Sequence, residues 1–537
     1  DCPHHHLEQT IKTSFSYIKM IKMSTKRPLL FTTALLLCMV TGAQNNISIA
    51  VAAAKDTINK NIYGHFAEHL GRCIYDGIYV GEGNQKIKNK DGIRLDIVDA
   101  LQKLKVPVLR WPGGCFADNY HWIDAIGPKA KRIPIENVSW GNVREDNAFG
   151  THEFLELCEM LKAEPYLAVN MGSGTVQEAS EWVQYVNHAN GTSALTDMRK
   201  KNGRSAPWNV KYWGIGNESW DCGGHMTVDY YINEYKRYAT FMTSYGNTEG
   251  MFRIVVGPGT EDYDWTESLM KNIPLKMMDG ISVHHYSVID WSAKGSATNF
   301  SEEEYFRTME QAWKMERFVT KNSAIMDKYD PQKKLALIVD EWGGWYEPEP
   351  GTNKNFLYQQ NSMRDAMIAG LTLNIFNNHA DRVRMANLAQ IVNVLQAVIL
   401  TKDEKLVLTP TYHVMEMYNV HQDALMLPLT VTSNDYQLAD KKLKAVNASA
   451  SKDKNGNVHI SVVNIDAQKE QLIEIDLGGL NSRSVTGRIL TSGKVQDYNS
   501  FEQPEKIKPL EFKSAVIKNN RLSLKIPAFS VVVLELK

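Results

Sequence analysis

From residue 61 to about residue 400 the chain alternates between two textures. Short continuous apolar runs fall at 62–66, 106–110, 166–170, 212–216, 254–256, 281–284, 336–340 and 385–388. Between them lie longer stretches with apolar residues at helical spacing. In 92–104, Ile93, Ile97, Leu101 and Leu104 recur every three or four positions, and 151–162 and 355–377 follow the same rule. A strand that is apolar on both faces must be covered on both, so such strands alternating with helices signal a parallel sheet. Eight of these units in roughly 340 residues predict a (β/α)8 TIM barrel with long loops. A doubly wound open sheet is the alternative, but no glycine-rich phosphate turn follows any early strand.

After about residue 402 the pattern changes to alternating or β-branched runs at 406–408, 443–449, 458–464, 471–477, 485–490, 521–526 and 531–536. Turns such as Asp453-Lys454-Asn455-Gly456-Asn457 separate them. Short strands joined by turns of this chemistry predict an antiparallel, jelly-roll-like β-sandwich. The strand-like run at 47–51, ahead of the barrel, is expected to add to it. The expected organisation is a leader over 1–43, an N-terminal strand segment over 44–60, a catalytic barrel over 61–400 and the sandwich over 401–537.

The leader reading rests on Lys26-Arg27, an apolar run from 29 to 40 and the small-residue exit Thr41-Gly42-Ala43, the layout of a secretory signal. An apolar run this short does not span a bilayer as a helix. The expectation is an exported bacterial protein, periplasmic or extracellular, with no membrane insertion once the leader is removed. Composition then narrows the class. The 537 residues carry 60 Lys+Arg against 61 Asp+Glu, and without residues 1–43 the balance is 55 against 59, a net charge of −4. Such a chain has no global attraction to nucleic acid or anionic lipid. Six Cys in 537 residues are too few for a disulfide framework; pairing among Cys73, Cys115, Cys158 and Cys222 is left open.

In a barrel of this kind the active site lies at the carboxyl ends of the strands. Those ends read Gly64-His65-Phe66-Ala67-Glu68-His69, Arg110-Trp111-Pro112-Gly113-Gly114-Cys115, Gly216-Asn217-Glu218, His284-His285-Tyr286 and Asp340-Glu341-Trp342, with Asn387 and Gln390 after the eighth. Glu218 and Glu341 stand on strands four and seven, opposite one another across the mouth. A carboxylate pair is the minimal equipment for glycoside hydrolysis: one protonates the leaving oxygen while the other attacks or activates water. Trp111, Trp220, Trp342, Trp345 and Tyr286 are aromatic surfaces of the kind that packs on sugar C–H faces. The bland alternative makes each Glu a first-turn residue of the following helix. His284-His285 do not make a metal pair, because adjacent strand residues point to opposite faces; no metal and no cofactor are expected.

These segments resemble glycoside hydrolase family 51, the retaining α-L-arabinofuranosidases. The resemblance runs in order through Ile62-Tyr63-Gly64-His65-Phe66-Ala67-Glu68-His69-Leu70-Gly71-Arg72, the 109–118 segment with Tyr120-His121-Trp122, Trp213-Gly214-Ile215-Gly216-Asn217-Glu218 and Val339-Asp340-Glu341-Trp342. It implies Glu218 as general acid/base and Glu341 as nucleophile. Asn217 would hydrogen-bond the sugar 2-OH, and Glu68 together with the backbone and thiol of Cys115 would hold the furanose hydroxyls. Arg110 would orient Glu341 and keep it ionised, Tyr286 would hydrogen-bond it, and His284 would stand behind the pair. Gln390 would close the pocket, with Trp111 and Trp342 in support. The function implied is exo-acting release of terminal α-L-arabinofuranosyl groups from arabinan or arabinoxylan, by a homo-oligomer. The rivals are a barrel glycosidase on another sugar, such as a β-xylosidase or endoglucanase, and a non-catalytic sugar-binding protein.

Overall fold

The computed structural model describes residues 45–189, 193–248, 250–259, 261–480 and 482–537; the leader-like segment 1–43 lies outside the described residues. Eight strands, Gly64–Phe66, Val108–Trp111, Glu164–Val169, Tyr212–Ile215, Phe252–Gly259, Gly280–Ser287, Ala336–Gly344 and Val383–Ala389, close into a parallel barrel. The eighth returns to the first with Asn387 opposite Gly64. Each apolar run noted above falls on one of them, because a barrel strand is covered by packed side chains inside and by helices outside.

The helices begin later than periodicity alone suggests, and local chemistry explains why. Gly92 takes a left-handed φ of 88°, and Ile93–Arg94 pairs with Asn89–Lys90 as a short hairpin, so the first helix is Leu95–Leu104. The helical pattern expected from 355 is cut at Ser362. The Ser362 hydroxyl caps Met363–Asn378, and its own N–H donates to Asp365 in a capping box, which satisfies amides a helix start otherwise leaves unpaired. Residues 355–361 are thereby left to the barrel rim.

The sandwich has a five-stranded sheet, in the order Leu429–Thr432, Asn45–Ile49, Gln471–Asp476, Arg521–Ile526 and Ala515–Lys518. Its six-stranded sheet is built around Val446–Lys452, Val458–Asn464, Ser530–Leu536 and Val485–Leu490. Asn45–Ile49 runs antiparallel to one neighbour and parallel to the other. Two expectations change. The run at 406–408 belongs to a hairpin, Ile399–Lys402 with Lys405–Leu408, outside both sheets, because Pro410 opens the helix Pro410–Met417 directly after it. The run at 443–449 is divided: Lys441–Lys444 pairs with Asp435–Leu438, and the sheet strand starts at Val446.

Barrel and sandwich share helix Met363–Asn378, buried everywhere except Asn378. This helix has no solvent face, since Arg364, Asp365, Asn374 and Asn377 are buried along with its apolar residues, and it lies between strand seven and the sandwich. Gly370 permits the approach, since a Cβ there would meet Val463 Cγ2 at 2.8 Å and Val531 Cγ2 at 3.2 Å. Asn377 and Asn378 donate to Ser449 Oγ and Ala448 O across the same seam. Among the described residues no helix is long and apolar enough to cross a membrane.

Candidate active site

The carboxyl ends of the strands surround a small inner pocket that opens into a cleft of about 520 Å³. Glu68, Cys115, Glu218, Tyr286, Glu341 and Gln390 all line the pocket, and Leu70, Leu357 and Leu395 close its far side. Glu341 lies within strand seven and is held from two directions. Arg110 Nη1 donates to Oε1 at 2.8 Å, and the Tyr286 hydroxyl donates to Oε2 at 2.7 Å. Burial alone would raise its pKa, but the charges of His284 and Arg110 and the two hydrogen bonds outweigh it and hold the carboxyl below its usual range.

Glu218 follows strand four on a left-handed backbone, φ 37°, a conformation that non-glycine residues rarely adopt. Its carbonyl accepts from Asp221 and Gly223, folding the loop under it. Oε1 contacts His284 Nδ1 at 2.8 Å. Burial and the negative charge of Glu341 raise its pKa, and His284 only partly offsets them. One carboxylate is pushed up and its neighbour held down, so the two differ in their readiness to hold a proton. His284 also lies 3.5 Å from Glu341 Oε2. Burial would lower the pKa of this imidazole, but the two carboxylates raise it.

Around this pair the remaining polar groups are fixed. Arg110 Nη2 donates to Asn217 Oδ1 at 2.6 Å, which turns the Asn217 Nδ2 amide away from Arg110, with Cys222 Sγ 3.8 Å from it. Glu68 Oε1 accepts from the Gly114 and Phe116 amides and from Trp140 Nε1, while Oε2 accepts from Gln390 Nε2 at 2.7 Å. Burial and the charge of Glu341 raise the Glu68 pKa. Gly114 is required where it stands: a Cβ would fall 2.8 Å from Glu341 Oε1.

Two family descriptions match the chain, the α-L-arabinofuranosidase 1 domain over residues 100–304 and the α-L-arabinofuranosidase C-terminal domain over 340–530. An intracellular exo-α-L-arabinofuranosidase of Bacteroides ovatus is 50% identical over 517 residues, 95% of this chain and 100% of that protein. The chain belongs to the family 51 α-L-arabinofuranosidases. Among solved structures, the family 51 arabinofuranosidase of Xanthomonas axonopodis pv. citri superposes with a TM-score of 0.90 at 45% identity, covering 92% of this chain and 100% of that one. The α-L-arabinofuranosidase of Thermotoga maritima, solved as an arabinose complex, gives 0.80 at 31%, covering 92% and 99%. The family resemblance seen in the sequence is borne out. Export is not: the Bacteroides relative, matched along its whole length, is named intracellular, and an exported or periplasmic location is withdrawn.

Set against the family 51 expectations, three site readings change. Cys115 has no thiol to offer a hydroxyl, because it is bonded to Cys222 across the loops after strands two and four; the amides flanking it serve Glu68. Trp111 and Trp342 are wholly buried in the outer packing. Trp111 stacks on Phe154 and donates to His69 Nε2, and Trp342 meets Phe376 edge to face. The missed residues are Trp140, which lines both cavities and donates to Glu68, and Asp340. Asp340 accepts from Tyr166 at 2.7 Å and Asn387 at 3.0 Å and lies 3.7 Å from Arg110 Nε. Asp340 adjoins Glu341 and could have been found as the partner of a buried Arg110. Trp140 lies between the short strands Ile135–Asn137 and Val143–Glu145, away from any barrel-strand end.

Proposed function

We propose that this chain is an exo-acting, retaining α-L-arabinofuranosidase that releases terminal non-reducing arabinofuranosyl groups from arabinan- or arabinoxylan-type chains. The observation that carries the reading is the carboxylate pair. An oxygen of Glu218 and one of Glu341 lie within 4.8 Å of each other, a proximity that suits the roughly 5–5.5 Å carboxyl spacing of retaining glycosidases better than the roughly 6.5–9.5 Å that leaves room for water between them. The closed inner pocket suits one terminal sugar, and the wider cleft suits the chain it leaves.

In the first step Glu341 attacks the anomeric carbon as the glycosidic bond breaks, and Glu218 gives its proton to the departing oxygen. Esterification removes the negative charge that raised the pKa of Glu218, so the same carboxylate then takes a proton from water. That water attacks the anomeric carbon, the ester bond breaks and Glu341 is regenerated. Arg110 and Tyr286 hold Glu341 ionised and aimed, while Asn217 and Glu68 are placed to bind hydroxyls of the sugar. A homo-oligomer belongs to this proposal on family resemblance, and sedimentation velocity reads it.

A panel of nitrophenyl glycosides tests the substrate class. Cleavage of the α-L-arabinofuranoside is expected, with arabinose of retained configuration seen first by proton NMR. Cleavage of the β-xyloside alone, or a first product of inverted configuration, overturns the reading.

A further inference from the structure

The loop carrying Glu218 holds a second chemistry that hydrolysis does not use. Cys115 Sγ, Cys222 Sγ and a Glu218 carboxylate oxygen all lie within 4.8 Å of one another. The two oxygens of Glu218 face different partners: Oε1 is engaged by His284, and Oε2 lies 3.6 Å from Cys222 Sγ. In the disulfide this sulfur has no proton to donate, so that approach is a contact and Oε2 remains available. Cys115 and Glu218 both line the open cleft, and Cys222 is exposed.

We propose that the reduced Cys115–Cys222 pair, together with Glu218 Oε2, forms a site for a thiophilic divalent cation of the zinc class, and that filling it switches off the catalytic acid. The proposal rests on Glu218 as the acid/base. Reduction by a dithiol breaks the S–S bond; the dithiol closes to its own disulfide, and its two protons pass to the two sulfurs. Binding the cation then releases those two protons. Tetrahedral zinc holds sulfur at about 2.3 Å and carboxylate oxygen at about 2.0–2.2 Å, which sets two sulfurs about 3.7 Å apart. The Cα–Cα separation of 5.5 Å allows this without moving the backbone. Two thiolates and one carboxylate make three ligands, and the fourth position faces the cleft and water. The trio is chemically distinct from the neighbouring Glu218, His284 and Glu341 cluster, which has no sulfur and whose Glu341 is already neutralised by Arg110. A cation on Oε2 replaces the proton that Glu218 must deliver. The disulfide form has no thiolates and is immune, so the pair sets whether the enzyme responds to the cation.

The full chain is prepared as the disulfide and as the dithiol, the latter reduced and desalted without oxygen, and each is titrated with zinc by calorimetry and by arabinofuranosidase rate. One equivalent is expected to bind the reduced chain, with a rate loss of at least about tenfold, given the ~10²–10⁴-fold worth of a general acid, and recovery on adding a chelator. The disulfide form and reduced Cys222→Ser are expected to lose that equivalent and its inhibition, each judged against its own zinc-free rate. Equal binding and inhibition in the disulfide form would place the cation on the cluster without sulfur and overturn the proposal, as would stoichiometric binding that leaves the reduced rate unchanged. A zinc-free disulfide enzyme with no arabinofuranosidase activity would overturn the functional reading instead, while the calorimetry still reports on the site.

Discussion

Strand seven and the loop after strand four each deliver one carboxylate of the pair proposed to carry the reaction, and they are built in opposite ways. Glu341 lies inside a strand of nine residues, paired on both sides, with His284 opposite it in register. Glu218 lies beyond the end of a strand of four, on a left-handed residue of a loop tied to the second barrel loop by Cys115–Cys222. The side chain of Glu341 is 8% exposed and that of Glu218 is 18% exposed. A nucleophile must be ionised and still, so it is surrounded by proton donors on a rigid element. An acid/base must change protonation state and reach both the leaving group and water, so it has one titratable partner and an open side.

The strongest way to break this contrast is to remove each carboxylate in turn. Glu341→Ala is expected to lower kcat by at least about 10⁴-fold, and Glu218→Ala by about 10²–10⁴-fold. Azide should restore part of the Glu218→Ala rate and yield an arabinosyl azide of retained configuration, read by NMR. If the retained azide arises from Glu341→Ala instead, the two roles are exchanged.

Arg110→Met probes the rigid side. It removes the charge that lowers the Glu341 pKa, so kcat should fall about 10²-fold and the acid limb of the kcat/KM profile should move to higher pH. An unmoved acid limb would mean that Glu341 does not titrate there. A smaller effect is expected at the pocket wall. Trp140→Phe removes one hydrogen bond to a buried carboxylate, worth about 1.5–3 kcal/mol, and should raise KM for the aryl arabinoside more than it lowers kcat; the reverse split would remove Glu68 from ground-state binding.

The mildest change in rate is expected from His284→Asn, and here the pH profile is the informative readout. His284 lowers the pKa of Glu218 and also that of Glu341. Without it both rise, so activity, which needs Glu341 ionised and Glu218 protonated, should shift to higher pH on both limbs. A stationary alkaline limb would show that it does not belong to Glu218.

Much of the site was legible because barrel topology converts position into proximity. Residues at strand ends must meet at one mouth, and this is how Glu68, Arg110, Asn217, Glu218, His284, Tyr286, Glu341 and Gln390 came together from segments far apart in the chain. Trp111 and Trp342 obey the same strand alternation that separates His284 from His285. Each follows an inward-facing residue, Arg110 or Glu341, so strand alternation turns it outward. His285 follows the same parity and meets the Gln311 carbonyl of the surrounding helix.

By itself the sequence determined the barrel, the two carboxylates and the family, because period, strand-end position and motif order are all linear properties. Only the tertiary structure decided that Cys115 meets Cys222, that Trp140 reaches Glu68 from between two short strands, and that Glu218 and Glu341 are displaced to opposite sides of the usual carboxyl pKa. Those facts depend on through-space distance and on the loss of water around buried charges. Neither quantity is written in the order of residues; both arise when loops from different strands close over the same pocket.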